Sequence, residues 1–319
     1  MSFRYIQVRK KRRHSVTATE ILDRLDRYID DHDDQPMRLL ATHWRDQQDA
    51  LSYREIREAI LFEGVSTSLV RDWTEDYSRF VVDKMAPVWR DAMAAGSKGQ
   101  PIMDKIQQSL RFDMNGPQML NWIDERGAAF VVDTTEQQVQ ALRSMIRQYM
   151  YEKYDYDELS KVIRPCIGLT DGQSRAVLRY YESLKANMRD QHPRMRQENL
   201  EDKCLTKALR YAERMHRERA RTIARTEMAF AYNHGMHESV RQAMEQGLLG
   251  TMEKRWLTSG NENVCPTCDA LNGVQIAFDA PFDFGKHRHL FDGQEEAPPA
   301  HPRCACACEY IEVSHPVFS

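Results

Sequence analysis

Five of the chain's seven cysteines lie between Cys265 and Cys308. They form two clusters, Cys265-Pro266-Thr267-Cys268 and His301-Pro302-Arg303-Cys304-Ala305-Cys306-Ala307-Cys308. A Cys-x2-Cys turn brings two thiolates within reach of one ion, and a later His-x2-Cys adds two donors, which together make a closed tetrahedral zinc site. The spacing therefore predicts one structural Zn2+ per chain on Cys265, Cys268, His301 and Cys304, with Cys306 as the alternative fourth ligand. Cys304, Cys306 and Cys308 alternate, so on a strand all three would face one way and only one would meet the first pair. Four protein donors leave no open position for water, which favours a staple over a hydrolytic centre. Cys166 and Cys204 have no such company and read as packing residues.

Two other stretches invite a catalytic reading. Lys286-His287-Arg288-His289 lies between the clusters and could place a general-base histidine beside a phosphate-binding arginine. It defines the alternative function, a zinc-containing DNA-acting enzyme or toxin using His287 and His289. No acidic metal cluster accompanies it, and a polar surface loop is the simpler reading. Arg225-Thr226-Glu227 falls within a helical pattern, where neighbours diverge by about 100° and do not converge on one substrate. These residues, with Asn233 downstream, read as a structural motif making interhelical hydrogen bonds. No catalytic residue is assigned, and the expectation is a protein that is not an enzyme.

The elements that must position the clusters are mostly helical. In 319 residues the charged fraction is 29% and the mean hydropathy is -0.68, which suits a protein with much solvated surface. No apolar run approaches the ~20 residues of a membrane span, and the start lacks a signal peptide's apolar core. Cysteines in metal-like spacing without such a signal suggest synthesis in a reducing cytoplasm. The net charge of -3 is unevenly spread. Arg9, Lys10, Lys11, Arg12 and Arg13 form a basic arm that is a candidate nucleic-acid contact, and Lys185 to Arg225 is rich in arginine.

Capping boxes are expected at Thr17-x-x-Glu20, Ser52-x-x-Glu55 and Thr170-x-x-Gln173. Pro87 should kink or stop the helix carrying Trp73, Tyr77 and Phe80. Gly96 to Pro101 reads as a linker. Beyond it short helices are expected at 103–110 and 118–126, with a third at 135–151. From Arg196 to Gly247 there is no proline and one internal glycine, Gly235, so a spine helix of roughly 60 to 70 Å is predicted, with Gly235 as its candidate break. After Gly250, Lys254–Thr258 and Gly273–Phe278 read as strands beside the Cys-x2-Cys turn. The fold class is mainly α: elongated helical N-terminal and central regions with a long spine helix, then a small zinc-stapled α+β module built on a β-hairpin. The expected domains are 1–95, 101–250 and 251–319.

Three segments in this order resemble the phage Mu F-like minor head protein family, also described as phage head morphogenesis proteins. They are Ile167-Gly168-Leu169-Thr170, then Ile223-Ala224-Arg225-Thr226-Glu227 with Asn233 and Gly235. The third is the series Trp256, Val264 to Cys268, Leu271-Asn272-Gly273 and His301 to Cys306. The resemblance spans roughly 135 to 312, and Asn115 to Gly127 is similar to the region preceding it. Ala305 departs from the arginine more usual between the last two cysteines, which weakens a basic role there. Membership implies a low-copy structural protein in the virion, made in the bacterial host cytoplasm and associated with the portal vertex of a tailed phage or prophage. It also implies action in head morphogenesis, DNA packaging or delivery. The implied partners are the portal protein, major capsid or scaffold proteins and packaged double-stranded DNA, with no membrane.

Overall fold

A computed structural model describes residues 14–62, 64–152, 156–259, 264–284 and 296–314. Among the described residues ten α-helices precede the first strand: α1 (Val16–His32), α2 (Asp34–Ala50), α3 (Tyr53–Leu61), α4 (Thr67–Phe80), α5 (Ala86–Gly96), α6 (Pro101–Ile106), α7 (Pro117–Glu152), α8 (Tyr156–Ile163), α9 (Asp171–Gln191) and α10 (Gln197–Glu245). Then follow β1 (Thr251–Leu257), the short helix α11 (Pro266–Leu271), β2 (Gln275–Ala277) and β3 (Ala307–Ser314). The strands form one antiparallel sheet in the order β2-β1-β3. No helix among the described residues is long and apolar enough to cross a membrane.

The boxes at Ser52–Glu55 and Thr170–Gln173 cap α3 and α9 as read. The one at Thr17 does not: Ser15 caps α1 and accepts the Ala18 N–H, so Thr17 and Glu20 lie inside the helix. Pro87 neither stops nor breaks its helix. A π-helical turn over Val81–Met85 resets the chain before it, and Pro87 falls in the first turn of α5, where its missing N–H is least costly. The two helices expected at 118–126 and 135–151 are one, α7, of 36 residues. Gly127 lies buried within it, so packing overrides a propensity penalty of about 1 kcal/mol.

The chain divides into two compact units. One unites residues 34–86 and 123–221. Its core joins Ile56 of α3, Trp73 of α4, Leu142 of α7, Ile163 of α8 and Leu178 of α9 with Cys204 of α10. The corner before α9 is fixed from α10: the Ile167 carbonyl lies 2.8 Å from His216 Nε2, and the Arg219 guanidinium donates to the Gly168 carbonyl. Gly168 has φ +86°, and a Cβ there would sit 2.7 Å from Trp44 Cδ1, so both backbone and space demand glycine. Cys166 and Cys204 are buried in this unit.

The other unit joins residues 1–33, 87–122 and 222–319, and therefore α1, α5, α6, the last part of α10 and the sheet. Here α10 continues through Gly235 as a helix of 49 residues in all. Glycine serves close approach instead of breakage: a Cβ on Gly235 would lie 2.6 Å from Met93 Cα, and one on Gly96 would lie 2.8 Å from the Tyr232 carbonyl carbon. The backbones of α5 and α10 thus meet at a glycine on each side. The sheet completes its core on α10, where His237 stacks on Phe278 at 4.2 Å and lies with Nδ1 3.0 Å from the Tyr310 hydroxyl. Phe278 and Phe282 are buried, each a gain of about 2 kcal/mol.

Gly235→Ala should cost about 3 kcal/mol or more and lower the unfolding midpoint by about 10 °C, because a backbone cannot yield as a flexible side chain does. Gly172→Ala, with nothing within 4 Å of its new methyl, should be neutral or slightly stabilising. Thermal melts of the two variants side by side decide it, and equal midpoints would contradict the close crossing.

Candidate metal centre

The first pair of thiols is set by α11. Cys265 caps this helix, its Sγ accepting the Cys268 N–H at 3.3 Å, and Pro266 begins it, so both side chains point to the same end. The turn is tied back to β1, where Gly273, at φ +85°, donates to the Trp256 carbonyl at 2.8 Å and Asn272 Oδ1 accepts the Thr258 N–H at 3.2 Å. That explains the Leu271-Asn272-Gly273 stretch: it closes the hairpin behind the knuckle.

The second cluster is held by α10. Arg303 is the only non-glycine with positive φ, +61°, among the described residues, and a turn from the Cys304 N–H to the His301 carbonyl closes at 3.1 Å. Thr226 Oγ1 accepts the Arg303 N–H at 3.1 Å, and the Arg303 Nε donates to Thr222 Oγ1 at 2.7 Å. Asn233 Nδ2 reaches the Cys306 carbonyl at 3.3 Å. Arg225 turns the other way, with ion pairs to Asp30 at 2.7 Å and Asp33 at 2.9 Å. Glu227 is buried on the same helix. Thr226 and Asn233 therefore dock the loop that carries the second cluster, while Arg225 pairs with carboxylates at the end of α1.

Five donors converge. The ligand atoms of Cys265, Cys268 and His301 all lie within 4.8 Å of one another, as do those of Cys268, Cys304 and Cys306. Cys268 belongs to both sets. Its Sγ lies 3.4 Å from His301 Nε2 and 3.6 Å from Cys304 Sγ. A tetrahedral zinc with ordinary bond lengths has edges of about 3.5 to 3.8 Å between such donors, so the donor types suit that ion and the two distances at Cys268 match its edges. His301 Nδ1 lies 2.8 Å from the Pro302 carbonyl, an acceptor for its N–H that leaves Nε2 facing the sulfurs. The Cys304 thiol is held well below its usual range by the Cys268 and Cys306 thiols, and His301 is raised to about 9 beside Cys304. Burial pushes Cys265 up, but N–H groups of Cys268 and Thr267 aimed at its sulfur outweigh that and bring it down. Cys304 and Cys265 are thus held toward the thiolate, the form that binds metal, while hydrogen bonding to Cys304 pushes Cys268 up and hydrogen bonding to Cys268 and Cys304, with burial, pushes Cys306 up.

The expectation that Cys304, Cys306 and Cys308 alternate on one strand is corrected. β3 begins at Ala307, so Cys304 and Cys306 lie on the irregular segment before it, where both reach Cys268. Cys308 is on the strand, fully buried opposite Trp256 and outside both donor sets. His287, His289 and the arm Arg9, Lys10, Lys11, Arg12 and Arg13 lie outside the described residues.

Sequence reading missed Gln100. Its side-chain amide donates to the Cys308 carbonyl at 2.7 Å and accepts the Tyr310 N–H at 3.2 Å, imitating one more strand on the free edge of β3. Lying between Gly99 and Pro101 in an apparent linker, it carried no periodic signal. Gln100→Ala should leave two buried backbone groups unpaired and cost about 2 to 4 kcal/mol. Thr226→Val, which keeps the shape but not the acceptor, should cost about 1 to 3 kcal/mol. Urea unfolding followed by tryptophan fluorescence measures both, and unchanged midpoints would show that neither bond holds the loop.

No curated protein and no solved structure matches the chain. A family model described as Phage Mu protein F like protein matches residues 181–309, which takes in the docking motif on α10 and all five converging donors, while Ile167 to Thr170 and Asn115 to Gly127 lie ahead of it. Over residues 181–309 the chain is similar to the Phage Mu protein F like family.

Proposed function

We propose that this protein is a structural component of a tailed-phage or prophage head, acting in head morphogenesis at the portal vertex and in DNA packaging or delivery. The observation that carries the reading is the family match, whose separate sequence stretches serve one physical purpose here. The helical motif and the Cys/His loops are remote in sequence yet hydrogen-bonded to each other. The portal protein is the principal partner, with major capsid or scaffold proteins beside it, and the protein resides in the virion at low copy number. Deleting its gene should yield heads that fail to assemble, package or deliver DNA, and the wild-type chain should co-purify with the portal protein. Normal burst size and infectivity without the chain would end this reading.

The same proposal assigns one structural Zn2+ to Cys265, Cys268, His301 and Cys304. Cys304 is preferred to Cys306 because it shares its turn with His301 and lies against that imidazole as well as against Cys268. When bound, zinc supplies a cross-link between the two loops. The residues' own part is to position the donors: the N–H groups of α11 favour the Cys265 thiolate, and the Pro302 carbonyl orients His301. Elemental analysis should find one zinc per chain. Cys268→Ser, which removes the donor common to both sets, should abolish it, whereas Cys306→Ser should keep it. Zinc retained by Cys268→Ser would refute the site, and loss in Cys306→Ser with retention in Cys304→Ser would move the fourth ligand to Cys306.

A further inference from the structure

The first part of α10 carries six solvent-exposed cations, Lys203, Lys207, Arg210, Arg214, Arg217 and Arg221. Their steps of four and three residues alternate, which at 3.6 residues per turn confines all six to an arc of about 80°. The opposite side of the helix is the buried one, marked by Cys204, Ala208 and Ala212. Within the cationic arc α10 has no acidic residue; Glu213 and Glu218 stand on its flanks. A solvated helix usually mixes signs on its exposed face; this row does not, and it stands in a chain whose net charge is -3, so it is a local concentration and not a consequence of overall charge.

We infer that this row is a binding surface for the phosphodiester backbone of double-stranded nucleic acid, read without regard to sequence. The row is about 27 Å long, the rise of some eight base pairs. A duplex offers one phosphate per about 1.7 Å of axis, so each cation meets a counter-charge without any special register. An acidic protein surface fits less well, because a stable protein interface needs an apolar core flanked by its charges. The exposed apolar residue of this stretch, Leu209, lies outside the arc. Arg214 lies over the Tyr211 ring at 4.9 Å, which steadies one guanidinium without neutralising it. This surface is independent of the metal centre, and its failure would leave the head-protein reading untouched.

The test is fluorescence anisotropy of the full chain with a 30-base-pair duplex of arbitrary sequence, titrated at several salt concentrations. Binding should weaken steeply with salt. The triple variant Lys207→Ala, Arg210→Ala, Arg214→Ala should lose at least about tenfold in affinity, and its salt slope should fall by about three. Arg210→Lys with Arg214→Lys should bind nearly as the parent does, since phosphate contacts need charge and not shape. Circular dichroism and metal content, unchanged in each variant, exclude misfolding. Three outcomes would overturn the inference: no duplex binding at low salt, a triple variant with the parent's affinity and slope, or a loss that instead follows alanine at Arg9 to Arg13. Polyglutamate competing as well as duplex would also overturn it and give the row to an acidic protein.

Discussion

The structure around the cysteines depends on one constraint: a loop without regular secondary structure must satisfy its backbone inside the protein. Among the described residues the segment from His301 to Cys306 has no strand neighbour, so its buried N–H and C=O groups would each cost about 1 to 3 kcal/mol if left unpaired. α10 supplies the partners from side chains. Thr226 takes the Arg303 N–H and Asn233 gives to the Cys306 carbonyl, while Gln100 finishes the same service for β3. With those bonds made, the second donor cluster is held where it meets α11, and five ligand-type atoms converge.

The glycine crossing is the companion to this arrangement. Thr226, Asn233 and Gly235 lie within a few turns of one helix, and Met93 and Gly96 place α5 against the same stretch. Close backbone approach at Gly235 leaves no slack in how α10 sits in its unit. A helix that could rock would move Thr226 and Asn233 relative to the loop by more than a hydrogen bond tolerates. Packing and polar satisfaction therefore act on the same turns of α10. The convergence on Cys268 follows: it is the donor on the rigid helix-capped side to which the loop side must come.

Much of this was legible in the residues. Donor types and the Cys-x2-Cys and His-x2-Cys spacings are local, and a turn of two or three residues allows few geometries, so the pairs could be read directly. The boxes before α3 and α9 are equally local, as is the long apolar period of α10. Where two local signals competed, the reading failed. Ser15 and Thr17 can both cap, and the buried face of α1 chose Ser15. Gly127 and Gly235 read as interruptions because propensity counts their missing Cβ as a cost, yet burial within α7 and close contact with α5 made helix the lower state.

By itself, then, the sequence determined which side chains could hold a metal ion, that most of the chain is helical, and which family residues 181–309 resemble, since each is written in types and short spacings. Only the tertiary structure decided that Cys306 stands with Cys304 beside Cys268, that Cys308 does not, and that an amide in an apparent linker completes a sheet. The physical reason is distance along the chain. Contacts between residues 100 and 308, or 226 and 303, depend on how helices pack, and no local period encodes which buried carbonyl a remote side chain will reach.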